Sequence, residues 1–446
     1  MASARRLFGT DGARGRANEE PMTPETALRL GRAVARQFRD RAGTSEIYIA
    51  KDTRASGDML EAAVAAGICA AHATARLCGV LPTPGLAFLV AQRKAAAGVM
   101  ISASHNPFHD NGIKVIGPGG EKLTDNEELS IEDLAGQSPE TGGDVGRTLP
   151  VPDAEQAYAD FLRRSLGPGA SFAGLRVVLD CGNGAAFRVA PEVFESLGAS
   201  VSLLGVSPDG TNINAGCGSQ EPGPLMEKVK AEKAHLGLAF DGDADRCIAV
   251  DESGRRISGD QILLILARRL LRENKLAGNK MVATVMSNLG LSLALKEMGV
   301  QLVVADVGDR YVLEAMRETG AVLGGEDSGH VILRNLHTTG DGTLTGLALA
   351  SAMLTEGRPL SRLASLMKVF PQVLINVPVA SKPELATVGP VVRAIADAEA
   401  ALAGKGRVLV RYSGTRSVCR VMVEGPTQET TEKIAQAIAA TVRSSI

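Results

Sequence analysis

The feature that most constrains this chain is a repeated alternation of short apolar runs with longer amphipathic runs. Residues 47–50 and 175–179 are short and apolar, and each precedes a longer helix-like stretch, at 59–75 and 186–197. Further apolar runs occur at 236–240, 281–284, 302–305 and 322–324. Alternating strand and helix patterns are typical of α/β domains with parallel strands. The sequence therefore predicts an α/β fold up to about residue 368.

The length of the chain and its breaks at Gly and Pro predict four domains. Its 446 residues exceed the roughly 150 to 250 residues that one core usually serves. A stretch rich in Gly and Pro at 136–152 reads as a linker, and weaker breaks fall near Gly254 and Pro371. We predict three α/β domains and a smaller C-terminal α+β domain, at residues 1–150, 151–255, 256–369 and 370–446.

The composition bears on partners and compartment. Lys and Arg total 48 against 50 Asp and Glu, so the bulk charge gives no sign of binding to nucleic acid or to a membrane surface. With no Trp and 3% aromatic residues, a sugar ligand would be held by hydrogen bonds and charge, which favours a phosphorylated one. Scattered cysteines without CxxC pairs, and no signal-like or membrane-length apolar segment, predict a cytoplasmic protein.

One apolar run leads into a turn that carries a hydroxyl group. The run 99–101 is followed by Ser104, His105 and Pro107. Because Pro107 keeps the residue before it out of helical geometry, the backbone around Ser104 should form a tight, specified loop. A serine in a turn usually bonds only its own backbone, but such loops also hold reactive groups. Ser104 is therefore a candidate nucleophile, and Lys114 could fold back beside it.

A second strand pattern ends in three carboxylates. Asp241, Asp243 and Asp245 alternate directly after the apolar run 236–240, so an extended or gently curved loop would place them on one face. Two like charges about 4 Å apart repel by roughly 4 kcal/mol at an effective dielectric near 20. A hard cation such as Mg²⁺ would relieve that repulsion. An EF-hand loop does not fit, because Arg246 occupies the position that needs Gly.

Three further loops combine groups that suit a phosphorylated sugar. Arg14 lies in a glycine-spaced segment, 9–15, whose amides and guanidinium could clamp an anion. The segment 411–416 offers Arg411, Ser413, Gly414 and Thr415 in one turn as a phosphate pocket. The loop 324–330 places Glu326, Asp327, Ser328 and His330 after an apolar run, and its acids suit sugar hydroxyls or an ammonium group. Each of these loops alone could be an ordinary turn.

Taken in order, these loops resemble those of the α-D-phosphohexomutase superfamily, and the resemblance runs from Gly9 to about Gly425. It rests on four segments, at 102–107, 241–246, 325–330 and 411–415. The resemblance implies four domains around a central cleft, three of one α/β topology and a smaller C-terminal α+β domain. It also implies an intramolecular phosphotransferase that acts on a hexose phosphate.

The resemblance also implies residue roles. Ser104 would be a phosphoserine that donates a phosphoryl group, and the metal set would be Ser104 with Asp241, Asp243 and Asp245 around one Mg²⁺. Arg14 and Arg246 would steady the transferring group. Substrate would be held by Glu326, Ser328, Arg411, Ser413, Gly414 and Thr415.

A base must take a proton from the attacking sugar hydroxyl. Lys114 and His330 are the candidates, with Lys114 favoured, and His105 lies beside the nucleophile. A hexosamine or hexose 1,6-bisphosphate would prime the enzyme. We expect a phosphosugar substrate, no nucleic acid or membrane partner, and a homodimer.

Within the superfamily, three segments favour one branch. Residues 107–114, 307–312 and 339–342 are more similar to members that interconvert glucosamine 6-phosphate and glucosamine 1-phosphate, on the route to UDP-N-acetylglucosamine, than to phosphomannomutases or phosphoglucomutases. Some positions depart from the family pattern. Arg416 and Ser417 stand where Glu and Pro are usual, Tyr412 replaces a commoner Lys or Pro, and Asp327 replaces a commoner Gln.

Three alternatives remain open from the sequence. The first is a phosphomannomutase or phosphoglucomutase. The second is a hydrolase in which Asp241 is the nucleophile. The third is a sugar-phosphate sensor that keeps the binding loops without catalysis, although the intact Ser104, carboxylates and Lys114 argue against it.

Overall fold

Three β-sheets with their helices make up the larger of two structural units, and a fourth sheet makes up the smaller. The computed structural model describes residues 7–9, 11–38, 44–138, 142–413 and 417–446. The large unit is drawn from Met1–Val285 and Gln301–Ala364, and the small unit from Met286–Val300 and Ser365–Ile446.

The first sheet carries the predicted nucleophile. Its strands are β1 Ala13–Arg16, β2 Glu46–Lys51, β3 Thr74–Val80, β4 Ala97–Ile101, β5 Asp110–Ile116 and β6 Thr148–Pro150, in the order β1-β5-β4-β2-β3-β6. Strands β2, β3, β4 and β6 are parallel, whereas β5 is antiparallel to both β4 and β1. The helices are α1 Pro24–Phe38, α2 Ser56–Ala70, α3 Thr83–Gln92 and α4 Asp125–Ala135, with a 3₁₀ turn at Pro118–Gly120. Strand β4 is buried along its whole length, as an apolar run in a covered parallel sheet should be.

The second sheet carries the carboxylates. Its elements are α5 Ala154–Ser165, β7 Arg176–Asp180, α6 Val189–Ser196, β8 Ser200–Leu204, α7 Gly223–Glu232, β9 Leu236–Phe240, β10 Cys247–Asp251 and β11 Arg256–Ile257. The strand order is β11-β10-β9-β7-β8, with β7 parallel to β8 and β9. Strand β10 turns back antiparallel to β9, and both are fully buried. The turn between them therefore starts and ends in the core.

The third sheet completes the large unit. Its elements are α8 Gly259–Arg272, β12 Lys280–Thr284, β13 Gln301–Ala305, α10 Asp309–Thr319, β14 Leu323–Gly325, β15 Val331–Leu333, α11 Gly342–Glu356 and α12 Leu360–Ala364, with a 3₁₀ turn at Ala277–Asn279. The order is β13-β12-β14-β15, and β15 is antiparallel to β14. The Asp341 carboxylate accepts the N–H of Leu344 and caps α11.

The small unit is a three-stranded antiparallel sheet with helices. Its elements are α9 Leu289–Glu297, β16 Gln372–Pro378, α13 Gly389–Leu402, β17 Arg407–Tyr412, β18 Val418–Glu424 and α14 Gln428–Ser445, with a 3₁₀ turn at Leu385–Thr387. The order is β16-β18-β17. Apolar side chains of β18, α13 and α14 form its core. This is the α+β arrangement predicted for the C-terminal region.

Most predicted strands are confirmed within a residue or two, but two expectations are wrong. The helix predicted at 59–75 ends at Ala70, because His72 adopts a left-handed φ of 65° and Thr74 begins β3. The segment around Arg14, expected as a loop, is strand β1, which pairs with strand β5. Among the described residues, no helix combines the length and the apolarity needed to cross a membrane.

Candidate active site

Ser104 lies in a buried turn just beyond β4. Its φ is 52°, in the left-handed region that non-glycine residues seldom adopt, and its side chain is almost fully buried. The Oγ atom donates a hydrogen bond of 2.6 Å to Oδ2 of Asp241, and Nδ1 of His105 lies 3.3 Å from the same Oγ. The turn thus aims the serine hydroxyl at the carboxylates of the second sheet.

The three predicted carboxylates converge in the turn between β9 and β10. Asp241, Asp243 and Asp245 are buried, and their carboxylate oxygens include a set that lies within 4.8 Å of one another. Burial, together with repulsion from Asp245 and Asp243, raises the pKa of Asp241 well above its usual value. The repulsion that the sequence predicts among these carboxylates is therefore present in the structure.

The donor set of this turn fits a hard divalent cation. All the side-chain atoms of this turn that could coordinate a metal are oxygens, which Mg²⁺ and similar ions prefer. The Oδ1 atoms of Asp243 and Asp245 are buried, and neither has a hydrogen-bond partner among the described residues. Buried polar atoms normally have partners, so these oxygens are free to be ligands. The cluster could hold a metal ion.

Lys114 reaches the same cluster from β5. Its Nζ lies 2.8 Å from Oδ2 of Asp243, 2.9 Å from Oδ2 of Asp11 and 3.8 Å from Oδ2 of Asp245. Burial alone would lower the pKa of Lys114, but these carboxylates outweigh it and raise the pKa above its usual value. Lys114 is therefore held as a charged ammonium group, which suits charge stabilisation better than proton abstraction.

The ion pair with Lys114 also shifts the pKa of Asp243. Burial would raise its pKa, but the Lys114 ammonium and hydrogen bonds from Lys114 and Thr83 lower it below the usual value. The Oγ1 of Thr83 donates to Oδ2 of Asp243 at 2.6 Å. One oxygen of Asp243 is thus neutralised by protein groups, and the other is left for a ligand.

Arg14 and Arg246 both lie close enough to His105, the neighbour of Ser104, to shift its pKa. Arg14 lies on β1, where its guanidinium binds the Asp11 carboxylate at 2.5 Å. The backbone N–H of Arg246 donates to Oδ1 of Asp241 at 3.2 Å, and its Nε lies 3.8 Å from Oδ1 of Asp245. Burial, together with the charges of Arg246 and Arg14, lowers the pKa of His105 to about 4. Both guanidiniums therefore act electrostatically on the nucleophile loop.

The predicted sugar loop lies directly beside the carboxylate turn. Arg246 and His330 form an antiparallel backbone bridge, and the N–H of Cys247 donates to the carbonyl of Gly329 at 3.0 Å. Oε1 of Glu326 accepts the N–H of Gly308 at 2.9 Å, and Ser328 Oγ lies 3.4 Å from Oε2 of Glu326. Glu326 and Ser328 therefore keep most of their hydrogen-bonding capacity.

Two other residues of this loop face different surroundings. The carbonyl of Asp327 accepts the N–H of Gly259 at 3.0 Å, and its Oδ1 lies 3.5 Å from the N–H of Asp260 at the start of α8. His330 is buried, and its Nε2 lies 3.5 Å from Oδ2 of Asp309. Neither ring nitrogen of His330 makes a hydrogen bond within the described ranges.

The predicted phosphate loop belongs to the small unit. Arg411 lies on β17 opposite Arg420 of β18. Ser413 is buried, its N–H donates to the carbonyl of Val418 at 2.8 Å, and its carbonyl accepts Nζ of Lys382 at 2.7 Å. Gly414, Thr415 and Arg416 lie outside the described residues. The grouping of these residues around a phosphate remains a prediction.

Four charged or polar residues of the site were not among the sequence candidates. Asp11 lies between Arg14, Lys114 and Lys122, and Lys122 also contacts Asp309. Asp11 and Asp309 fall inside segments that the sequence singled out, at 9–15 and 307–312, so they could have been considered. Thr83 and Lys122 carry no sequence signal, because only the tertiary structure brings them to the carboxylates.

Comparison with known families identifies the chain as a phosphohexomutase over nearly its whole length. Four models of the phosphoglucomutase/phosphomannomutase family match: α/β/α domain I at 5–141, domain II at 156–254, domain III at 258–370 and the C-terminal domain at 374–441. The chain belongs to the phosphoglucomutase/phosphomannomutase family. The exact boundaries predicted from the sequence remain predictions.

Within that family, the chain is similar throughout to curated phosphoglucosamine mutases. It is 51% identical to the phosphoglucosamine mutase of Syntrophus aciditrophicus over 443 residues, covering 98% of this chain and 99% of the relative. It is 50% identical to that of Syntrophobacter fumaroxidans over 446 residues, with 99% of each covered.

Solved structures share the fold at lower identity. A phosphoglucomutase/phosphomannomutase family protein from Burkholderia thailandensis gives a TM-score of 0.83 at 24% identity, covering 98% of this chain and 97% of that one. N-acetylphosphoglucosamine mutase of Aspergillus fumigatus, solved with GlcNAc-6P and magnesium, gives 0.72 at 18% identity, covering 99% of this chain and 96% of that one.

Proposed function

We propose that the chain interconverts glucosamine 6-phosphate and glucosamine 1-phosphate through a phosphoserine at Ser104. The observation that carries the proposal is the 2.6 Å hydrogen bond from Ser104 Oγ to Asp241, within a buried carboxylate cluster. The identity of about 50% to phosphoglucosamine mutases over the full length supports the amino-sugar substrate. Phosphomannomutase or phosphoglucomutase activity is not favoured.

The reaction has two balanced transfers. A hydroxyl oxygen of glucosamine 6-phosphate bonds to the phosphorus of phosphoserine as the bond from phosphorus to Ser104 Oγ breaks. The sugar hydroxyl proton passes to a base, and Ser104 regains a proton. The glucosamine 1,6-bisphosphate then turns around, and Ser104 Oγ bonds to the phosphorus of its 6-phosphate as the bond from that phosphorus to the sugar O6 breaks. The Ser104 proton passes to a base, O6 gains a proton, and glucosamine 1-phosphate leaves a phosphorylated Ser104. Catalysis of such transfers consists mainly of in-line positioning and charge stabilisation.

The charged groups around Ser104 have separate tasks. Arg14, Arg246 and Lys114 place positive charge near the transferring phosphoryl group, where negative charge builds up on its oxygens. Asp241, Asp243 and Asp245, with an oxygen at Ser104, would hold Mg²⁺, which when bound supplies further positive charge to the phosphoryl oxygens. The two unpartnered oxygens of Asp243 and Asp245 support this assignment.

The contacts of Lys114 and His330 favour His330 as the base, whereas the sequence favoured Lys114. Lys114 would have to give up its proton while surrounded by Asp11, Asp243 and Asp245. His330 is buried at the end of the sugar loop, and its ring nitrogens make no hydrogen bond within the described residues. We therefore assign proton transfer to His330 and charge stabilisation to Lys114. His105 adjoins the nucleophile and orients its hydroxyl.

The remaining assignments concern substrate and setting. Glu326 and Ser328 would bind sugar hydroxyls, and Arg411, Ser413, Gly414 and Thr415 the phosphate that is not being transferred. A hexosamine or hexose 1,6-bisphosphate would prime Ser104. A cytoplasmic location is supported by six cysteines that form no disulfide. We also propose that the chain forms a homodimer and has no nucleic acid partner.

The test uses the purified chain with Mg²⁺ and a glucosamine 1,6-bisphosphate primer. We expect intact-mass analysis to find one phosphate on Ser104, and we expect glucosamine 6-phosphate to be converted faster than mannose or glucose 6-phosphate. Faster turnover of either of the other two sugars would reject the substrate assignment. Sugar turnover that persists in Ser104→Ala would reject the phosphoserine mechanism.

A further inference from the structure

The Ser104 turn is held from behind by one buried guanidinium group. The side chain of Arg54 is fully buried. It donates through Nη2 to the carbonyls of Ser104 at 2.9 Å and Asn106 at 2.8 Å, and through Nη1 to the carbonyls of Asp110 at 3.0 Å and Pro107. Since four carbonyls of one turn converge on a single planar group, their relative positions are set by that group.

The fifth N–H of the guanidinium extends the network to the other side of Ser104. Nε of Arg54 donates to Oδ2 of Asp52 at 2.9 Å, and this oxygen also accepts Ser102 Oγ at 2.6 Å. Ser102 Oγ in turn accepts the N–H of Ser104 at 2.9 Å. All five guanidinium N–H groups are therefore used. Both the N–H and the carbonyl of Ser104 belong to one hydrogen-bonded network.

A second anchor comes from the domain that carries the metal loop. Nδ2 of Asn214 donates to the carbonyl of Ser104 at 2.9 Å and to that of Asn106 at 3.3 Å. The backbone of Gly242 also lies against the turn, because a Cβ built there would be 2.5 Å from the Ser104 carbonyl oxygen. The turn is thus fixed to the carboxylate loop as well as to its own sheet.

The chemistry explains why such a network matters. Hydrogen bonds from a charged donor are roughly twice as strong as neutral ones, and burial strengthens them further. The left-handed conformation of Ser104 is unfavourable by itself and persists only where its surroundings over-determine it. A shift of the Ser104 backbone away from the carboxylates would have to break several buried, charge-assisted hydrogen bonds.

We propose that Arg54 is a positioning residue for phosphoryl transfer, which holds Ser104 Oγ at one place relative to the carboxylates through both half-reactions. The inference rests on the proposed function, because it needs Ser104 to be the phosphoryl carrier. The hydrogen bonds of the Arg54 side chain go to backbone carbonyls and to Asp52. It therefore acts through the loop and not on the sugar.

The main test compares Arg54→Lys with the wild-type chain. Lysine keeps the charge but cannot reach four carbonyls and a carboxylate at once, so the turn should shift. A misplacement of about 1 Å can lower a rate by roughly 100-fold, and we expect a loss of that order in kcat with little change in KM. We also expect more inorganic phosphate to be released per sugar converted, because a displaced phosphoserine is hydrolysed more often.

A control and a second variant keep the test decisive if Arg54→Lys folds poorly. Arg76→Lys makes the same exchange in the same sheet, where Arg76 pairs with Glu46, and should leave kcat unchanged. Asn214→Ala removes the second anchor without touching a buried charge, and should lower kcat by roughly tenfold, the value of about one hydrogen bond. It should raise phosphate release in the same direction.

Three results would overturn the inference. In the first, Arg54→Lys loses folded protein while its phosphorylated molecules keep wild-type kcat and phosphate release, which would make Arg54 merely structural. In the second, Asn214→Ala keeps wild-type kcat. In the third, the wild-type chain itself carries no phosphate on Ser104 after priming. The last result rejects the proposed function as well, whereas the first two reject the positioning role alone.

Discussion

The nucleophile loop and the sugar loop lie on either side of the same carboxylate turn, yet they are built in opposite ways. Around Ser104, backbone N–H and carbonyl groups are taken up by buried side chains. In the loop of Glu326 and Ser328, backbone groups bond mostly to backbone, and the side chains keep free acceptors and donors. The first loop is fixed so that one atom can react repeatedly. The second keeps polar atoms available for a ligand.

The largest effect should come from the nucleophile itself. Ser104→Ala should lower the mutase rate by on the order of 10⁴-fold or more, because no other described hydroxyl in the loop points at the carboxylates. The measurement is the primed conversion of glucosamine 6-phosphate, with intact mass to confirm loss of the phosphate. Ser253→Ala, which alters a turn at the end of β10, should behave as wild type. Similar mutase rates in Ser104→Ala and Ser253→Ala would contradict the conclusion that the nucleophile loop holds the reacting atom.

A substitution in the carboxylate turn should change activity and stability in opposite directions. In Asp241→Asn the charge repelled by Asp243 and Asp245 is removed, so the metal-free protein should melt at a higher temperature than the wild type. The same change should lower kcat by roughly 100-fold, since one of the carboxylates that would hold Mg²⁺ is lost. Thermal melting in EDTA, alongside the mutase assay with Mg²⁺, checks both effects. A lower melting temperature in EDTA would mean that the cluster is not under repulsion.

The sugar loop should respond more mildly. Ser328→Ala removes one hydrogen-bonding group whose side-chain contact among the described residues is a long one of 3.4 Å. We expect kcat/KM for glucosamine 6-phosphate to fall by roughly tenfold, with unchanged melting temperature. Steady-state kinetics and thermal melting test this together. A clear loss of stability would show that the side chain supports the loop instead of remaining available for substrate.

The smallest effect concerns a buried carboxyl group outside both loops. Asp341 caps α11 and accepts the Tyr158 hydroxyl at 2.8 Å, and burial raises its pKa to about 7 despite these hydrogen bonds. The folded chain therefore holds this proton more tightly than the unfolded chain, whose Asp titrates near pH 4. The stabilising contribution is complete below about pH 4 and is lost as the pH rises to about 7.

Asp341→Asn keeps the cap and abolishes this titration. We expect the difference in melting temperature between wild type and Asp341→Asn to shift by a few degrees between pH 5 and pH 8, to the disadvantage of the wild type at the higher pH. His337, whose pKa burial lowers to about 4, changes in the opposite direction but is common to both proteins. A difference that does not vary with pH would contradict the assignment.

The sequence predicted the parts of the site that follow buried strands. The apolar runs that became β4 and β9 are short, strongly patterned and followed by turn residues, so the pattern alone located Ser104 and the three aspartates. Strands β1 and β5 were not foreseen. They contain Gly, Arg, Asp and Asn, which have low strand propensity, and they form because they pair with each other across about a hundred residues of chain.

The sequence alone was also not enough to infer the roles of Lys114 and Arg54. Sequence placed Lys114 near Ser104 and favoured it as a base, but only the tertiary structure surrounds it with Asp11, Asp243 and Asp245, which favour its charged form. Arg54 carried no signal at all, because four carbonyls that converge on one guanidinium come from a loop some fifty residues away.

What the sequence determined by itself is the alternation of strand and helix, the α+β tail and the candidates for the reactive groups, because these depend on local pattern and residue type. What only the tertiary structure decided is which charges meet, which remain unpartnered and how the serine is held. Those properties arise from burial and from contacts between distant segments, and burial is what turns a carboxylate, an ammonium or a guanidinium from a solvated charge into a specific interaction.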